Sequence, residues 1–233
     1  MILEPQRHID QQQQNIGFRC LILDGICTQV MGSLVGGAFL VAFAVLLGAS
    51  NLEIGLIAAI GPLTQILHVP ATLLIEKIRR RKWLVINSSL ISRIFLIGLC
   101  SIPWIHNDYQ VAALLVFLFL YFGFGTISGS AFNSWWRDFV PDEKLSSLYA
   151  DRLLAATGAG IVVTLTGAVW IDSAPIFLPS QQSAYALLFI VGGLFGFIGL
   201  YFLTKVPEPF MEPLPEPNLL AILSKPFREK NFK

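Results

Sequence analysis

Six long apolar runs, separated by short polar stretches, dominate the 233-residue chain. A bilayer core is about 30 Å thick, so a helix needs about 20 mostly apolar residues to cross it. Only a helix satisfies the backbone amides of such an isolated run in lipid. The pattern therefore predicts an all-α polytopic membrane protein with six transmembrane helices, at about residues 21–47, 52–75, 83–104, 111–133, 153–171 and 184–203.

The polar stretches predict the domain organisation. Residues 1–20 form a Gln-rich N-terminal segment, residues 21–204 the six-helix transmembrane domain, and residues 205–233 a charged, Pro-rich tail. Residues 135–152 carry mixed charge and are predicted to form a long polar loop. The segment 172–182, with its two prolines, is predicted to be a shorter loop.

The basic residues lie on one side of this predicted topology. The loops at 48–51, 105–110 and 172–182 contain no Lys or Arg, and Arg93 lies inside the third run. Every other Lys and Arg falls in the segments of the opposite side. Because cytoplasmic loops are enriched in Lys and Arg, both termini are predicted to be cytoplasmic, in a multi-pass protein of the plasma (inner) membrane.

Composition narrows the function classes. The chain is 55% hydrophobic and 13% charged, against roughly 25% charged in soluble domains. A net charge of +1 without a basic domain argues against a nucleic-acid partner. The three cysteines and three histidines show no metal, nucleophile or disulfide spacing. We therefore expect neither an enzyme nor a cofactor, and the lipid bilayer is the first predicted partner.

Polar residues inside the first run suggest a wall of a solute path. Asp24 and Thr28 lie four residues apart, so they share one stripe of a helix. Gln29 lies on an adjoining stripe. This face could line a cavity in which Asp24 binds an ion or a proton. Alternatively, Asp24 is a structural cap or ion-pair partner near the cytoplasmic end.

Two further runs contribute candidates for the same path. The second half of the fourth run is unusually polar for lipid contact and offers Ser130 and Asn133. The second run offers Gln65 and, just before Pro70, His68. These side chains either face the solute or make hydrogen bonds between packed helices.

Arg93 is the most unusual residue of the third run. It lies eleven positions beyond Lys82, or roughly 16 Å along a helix, which puts it near the middle of the bilayer. An Arg there costs at least about 2.5 kcal/mol on insertion scales, so something must compensate the charge. Arg93 could contact an anion or solute, form an interhelical pair, or extend towards the interface.

Three segments between the runs are distinctive. They are the turn Gly-Ala-Ser-Asn-Leu-Glu-Ile-Gly at 48–55, the basic segment at 76–82 and the segment Asn-Ser-Trp-Trp-Arg-Asp-Phe-Val-Pro-Asp-Glu at 133–143. With these segments, the layout of runs and loops resembles the N-terminal six-helix half of a major facilitator superfamily transporter, and the resemblance covers nearly the whole chain. The end of the tail, 225–232, resembles the run-in to a seventh helix. The resemblance implies two inverted three-helix repeats.

One family motif is partly kept. The family loop between helices two and three reads Gly-x-x-x-Asp-Arg-x-Gly-Arg-Arg, and the chain has Thr72, Glu76, Lys77, Arg79, Arg80 and Arg81 at the fixed positions. Charge sign is kept but both glycines are missing. The resemblance implies that Glu76, Lys77, Arg80 and Arg81 take part in gating, although they could simply set the topology. The motifs of proton-coupled members and drug antiporters are absent from the fourth and fifth helices.

The resemblance implies transport of a small solute by alternating access. In such transporters the site lies at the midplane between two halves, and six helices supply one wall. We therefore expect the chain to be an N-terminal half or a truncated product, partnered by a second six-helix half or a second copy. The alternative is a non-transporting membrane protein that serves as a structural or interaction partner.

Overall fold

The chain folds into a bundle of helices. The computed structural model describes residues 4–174, 178 and 180–211, and the regular structure of these residues is helical apart from one isolated bridge between Gln6 and Pro209. The end of the tail, with the expected run-in to a seventh helix, lies outside the described residues, as do both prolines of the loop at 172–182. The α-helices are α1 (Gln11–Val35), α2 (Gly37–Leu46), α3 (Asn51–Thr64), α4 (His68–Ile78), α5 (Arg81–Cys100), α6 (Gln110–Phe139), α7 (Asp142–Ser173) and α8 (Gln181–Lys205).

These helices form six spans that are long and apolar enough to cross a membrane. The first span combines α1 with α2, the second combines α3 with α4, and α5 to α8 form the third to the sixth. The prediction of an all-helical chain with six such helices is confirmed. Local sequence explains the bends in the first and second spans.

The bend in the first span lies at a pair of glycines. Gly36 ends α1 in an extended conformation, and Gly37 begins α2 with a φ of +53°. That left-handed conformation is strained for residues with a Cβ and open to glycine. The glycine pair therefore allows the chain to change direction and to continue as a helix.

The second span is interrupted by a 3₁₀ turn at Gln65–Leu67. Prolines flank the turn, with Pro62 in α3 and Pro70 in α4. A proline has no amide hydrogen and its ring clashes with the preceding helical turn, so it disrupts the regular hydrogen-bond ladder. The interruption places Gln65 and His68 where one helical segment passes into the next.

Several helices extend beyond the predicted runs. α6 continues to Phe139 and α7 begins at Asp142, so only Val140 and Pro141 separate them. The prediction of a polar loop over 135–152 is therefore wrong, because the charged residues lie on the ends of two long helices. α1 likewise begins at Gln11, well inside the segment 1–20, and Asp10 caps it. Polar residues can continue a helix beyond its apolar run, and a hydropathy pattern does not detect such extensions.

Five extensive contacts hold the spans together. The first span packs against the fifth and sixth, the third packs against the fourth and sixth, and the second packs against the fourth. α1 approaches α8 closely at Gly192 and Gly196, where an added Cβ would meet the side chains of Val35 and Met31. Small residues at such contacts let helices pack closely in an apolar environment.

The apolar core has two parts. The larger one contains Phe43, Leu96 and Phe189, each with no exposed surface. The smaller one surrounds Trp135 at the end of the bundle where α5 and α7 begin and where α6 and α8 end. We call this end the basic end, because Arg79, Arg80 and the first residues of α5 lie there. A polar cavity lies between the helices.

Candidate functional site

A cavity of about 490 Å³ opens among the helices. Its wall is formed by α1, the second span, α5 and α6, with single residues from α7 and α8. The wall combines apolar side chains with polar and charged ones, which include Asp24, Thr28, Gln65, His68, Ser89, Ser92, Arg93, Tyr121, Thr126, Ser128, Asn133 and Arg152. We call this space the central cavity. It brings together polar residues from five of the six spans, and the sixth span contributes only the apolar Leu203.

Asp24 is held by a basic residue from another helix. Its side chain is buried, and its Oδ2 accepts a hydrogen bond of 3.0 Å from Arg152 Nη2. Thr28 donates to Asp24 Oδ1 at 3.3 Å, and Arg152 Nε donates to the Leu21 carbonyl at 3.1 Å. The ion pair therefore joins α1 to α7, and Arg152 and Thr28 together occupy both carboxylate oxygens of Asp24.

The sequence pattern does not predict Arg152 as a site residue. It places this residue in a loop, whereas Arg152 lies about three turns inside α7 and its guanidinium stacks over Trp136, 5.4 Å from the ring centre. The available signal was Asp24 itself, since a carboxylate inside an apolar run needs a basic partner. Arg152 is the basic residue closest to the start of the fifth run.

Arg93 lies in the wall of the cavity, near the middle of α5. Its side chain is 5% exposed. Its Nε donates to the Gly196 carbonyl at 2.7 Å, and Nη1 donates to the Ser89 carbonyl at 3.1 Å. Both acceptors are neutral, so these bonds hold the guanidinium between α5 and α8 without balancing its charge.

His68, Gln65 and Ser130 form one hydrogen-bonded group at the interrupted second span. His68 Nδ1 lies 2.6 Å from Ser130 Oγ, and Nε2 contacts Gln65 Oε1. Ser130 also donates to the Thr126 carbonyl at 2.9 Å. The group links the second span to α6 and presents an imidazole to the cavity.

The remaining predicted residues divide between two surfaces. Asn133 lines the central cavity next to the Ser130 turn. Gln29 does not line it, since its side chain donates to Ser33 and faces Gly160 of α7. The central cavity thus contains five of the predicted residues, Asp24, Thr28, Gln65, Arg93 and Asn133. Ser130 contacts His68 in its wall, and Gln29 lies in the contact between α1 and α7.

A second polar group lies at the basic end and centres on Arg81. This side chain is 1% exposed. Its Nη1 contacts Asp138 and donates to the Ser134 carbonyl at 3.2 Å, while Nη2 donates to the Pro209 carbonyl at 3.1 Å. We call Arg81, Ser134, Trp135, Asp138 and residues 207–209 the Arg81 cluster.

Glu208 completes the Arg81 cluster from the segment that follows α8. Its buried Oε1 accepts a hydrogen bond of 2.5 Å from the backbone amide of Arg81, at the first turn of α5. The positive end of the helix dipole favours a carboxylate there. Burial nevertheless raises the pKa of Glu208, against the opposing effect of the Lys82 and Arg81 amides and side-chain charges.

Hydrogen bonds to the main chain hold the segment after α8 in place. Trp135 Nε1 donates to the Pro207 carbonyl at 3.0 Å. Gln6 donates to the Glu208 carbonyl at 2.7 Å, and its own carbonyl accepts from the Phe210 amide at 2.9 Å. The N-terminal segment, the start of α5, the end of α6 and the chain after α8 are therefore joined at one point.

The other predicted gating residues lie outside this cluster. Lys77 and Arg80 are exposed and Glu76 is partly buried. The Glu76 carbonyl accepts a hydrogen bond of 3.1 Å from Arg79 Nε. Arg79 itself ends α4 with a φ of +53°, and no other non-glycine residue of the described part has a positive φ.

The described part of the chain contains no group of three His, Cys, Asp or Glu residues that could hold a metal ion. No protein-family model, no curated protein and no solved structure matches the chain. The central cavity and the Arg81 cluster are therefore the features of the molecule that bear on its function.

Proposed function

We propose that the protein moves a small solute across a membrane by alternating access, as one six-helix half of a transporter of the major facilitator type. The observation that carries the proposal is the central cavity. It gathers Asp24, Arg93, Arg152 and His68 among helices apolar enough to cross a bilayer. Ionisable groups inside a membrane are costly, and those that persist usually mark a solute or ion path.

The contacts between spans support the arrangement as two repeats. Exchanging spans one to three with spans four to six maps the five extensive contacts onto themselves. Under this exchange, the contact between spans one and six becomes the contact between spans four and three. The contact between spans one and five becomes the contact between spans four and two, and the contact between spans three and six maps onto itself. Equivalent spans are three crossings apart, so they run in opposite directions, as inverted repeats do.

The conformation of Arg79 supports the family loop. This residue occupies the position of the second glycine in the family motif, and its φ of +53° is one that glycine adopts freely. A backbone conformation that favours glycine is therefore present at this position even though the glycine is not. Arg81, at the last position of the motif, is buried in the Arg81 cluster. With the basic end at the cytoplasm, this cluster closes the inner side of the bundle.

A partner is part of the proposal. The second and fifth spans are equivalent under the exchange and are the least buried, with 17% and 22% of their apolar windows covered. Their exposed apolar residues include Leu56, Leu63, Leu154 and Leu165. The bilayer, a second six-helix half or a second copy would cover these faces. The central cavity would then lie between two walls.

Reconstitution tests the function. The chain would be placed in proteoliposomes alone and together with a second six-helix half, and uptake of a panel of small solutes would be measured. Saturable uptake in either setting supports alternating access. Conductance without saturation indicates a channel. An absence of flux in both settings, with correctly folded protein, favours the non-transporting structural partner.

A further inference from the structure

The charges that line the central cavity do not balance. The charged side chains are Asp24, Arg93 and Arg152. Asp24 and Arg152 form an ion pair at 3.0 Å and cancel each other. Among the described residues, no carboxylate lies within ion-pair distance of Arg93. The cavity therefore carries one positive charge in excess.

The excess charge cannot be removed by proton loss. A guanidinium keeps its proton at all ordinary pH values, unlike a buried lysine or carboxylate, which neutralises. Nε and Nη1 of Arg93 donate to the Gly196 and Ser89 carbonyls. Within the described residues, Nη2 donates no hydrogen bond. A buried charged donor group at the wall of a cavity thus has spare hydrogen-bonding capacity.

We propose that Arg93 is the anion-binding residue of the central cavity, and that the solute is a small anion whose carboxylate or phosphate group accepts from Nη2. This inference rests on the proposed function, since it specifies the class of solute for the same cavity. An anion would pair with the charge and fill the open donor. A neutral solute would leave the charge uncompensated, at the cost attached to any unpaired buried ion.

The rest of the cavity suits such a solute. Gln65, His68 and Asn133 form polar positions on walls other than that of Arg93, and they can meet neutral hydroxyl or amide groups. A cation finds no free carboxylate, because Thr28 and Arg152 already occupy both oxygens of Asp24. The excess charge of Arg93 also repels it. The cavity therefore selects against cations by charge and for anions by pairing.

The test compares each anion with its uncharged analogue. The unfolding temperature of the purified protein in detergent would be measured at fixed ionic strength with lactate or lactamide, succinate or succinamide, and glycerol 3-phosphate or glycerol. A ligand that binds only the folded protein raises this temperature in a saturable way. We expect at least one anion to stabilise the protein while its neutral analogue does not.

Variants tie the effect to Arg93. Arg93→Gln should weaken the stabilising anion at least about tenfold, as expected for loss of a hydrogen bond to a charged group. Arg137→Gln is the matched control, since Arg137 carries the same charge in an exposed pair with Asp142 and should leave the anion effect unchanged. If Arg93→Gln does not fold, Arg93→Lys keeps the charge without the planar donor group and should also bind more weakly.

The outcomes separate this inference from the transport proposal. Equal stabilisation by an anion and its neutral analogue, stabilisation by none of the three anions, or an undiminished effect in Arg93→Gln would overturn the inference. Saturable flux of a neutral or cationic solute would leave the transport proposal standing and this one overturned. Anion binding through Arg93 without flux in any setting would support this inference and overturn the transport proposal.

Discussion

Two buried arginines, Arg81 and Arg93, lie on the same helix in opposite electrostatic settings. Arg81 contacts Asp138 and lies 3.9 Å from Glu208, so carboxylates surround it. Arg93 contacts only the neutral carbonyls of Gly196 and Ser89. Both guanidiniums are almost fully buried. Burial alone therefore does not distinguish a structural arginine from one that awaits a ligand.

The two arginines differ in whether their donor groups are already occupied by partners within the protein. The Arg81 cluster uses the guanidinium to join the start of α5, the end of α6 and the segment after α8. Removing it would leave the buried Glu208 carboxylate and the half-exposed Asp138 carboxylate without this counter-charge. Arg93 leaves a donor group towards the central cavity, and its removal strands no carboxylate. Loss of the charge should consequently destabilise the protein much more at Arg81 than at Arg93.

The largest effect is expected at Arg81. Arg81→Gln removes the counter-charge of buried Glu208, and breaking a buried ion pair costs about 3–5 kcal/mol of stability. The free energy or temperature of unfolding in detergent measures the loss. Arg80→Gln is the matched control, because Arg80 is exposed at the adjacent position and should change stability little. Similar stability of the two variants would contradict a structural role for the Arg81 cluster.

A smaller effect of opposite sign is expected at Arg79. Its left-handed conformation costs roughly 1–2 kcal/mol for a residue with a Cβ, and its side chain makes a single hydrogen bond to the Glu76 carbonyl. Arg79→Gly should therefore raise the unfolding temperature. Arg80→Gly, at an ordinary φ of −124°, should not. A loss of stability in Arg79→Gly would mean that the side chain contributes more than the strain costs.

The smallest change in stability is expected at Arg93. Arg93→Gln strands no carboxylate, and it removes a buried charge that has no counter-charge within ion-pair distance. That gain offsets the loss of the two hydrogen bonds to helix carbonyls, so the net loss should stay below about 1.5 kcal/mol. Unfolding measured beside Arg81→Gln makes the comparison direct. A loss as large as that of Arg81→Gln would make Arg93 a structural residue.

Hydropathy and helical periodicity predict much of this molecule. The six spans follow from run length, and Asp24 and Thr28 share a wall because they lie four residues apart. Gln29, one position further, turns away towards α7 for the same reason. Periodicity predicts which face of its own helix a residue occupies, and it depends only on nearby residues in the sequence.

The partners of the charged residues could not be predicted in this way. Arg152 is 128 residues from Asp24, and Glu208 is 127 residues from Arg81. Their pairing depends on how the spans pack, which the pattern of a single helix does not contain. Glu208 also lies in a segment that reads as a polar tail, although the fold buries it as the cap of another helix.

The central claim is that the central cavity belongs to a solute path across the membrane. Such a path must be open to water, and cysteine labelling tests this most directly. Cys20, Cys27 and Cys100 would be replaced by alanine, and Thr28→Cys would be compared with Leu165→Cys in native membranes. Both positions are exposed in the bundle, Leu165 on the apolar outer face of α7. Thiolates form only where water reaches. A hydrophilic maleimide should label Thr28→Cys and leave Leu165→Cys unmodified, whereas equal labelling or labelling of Leu165→Cys alone would contradict an aqueous cavity.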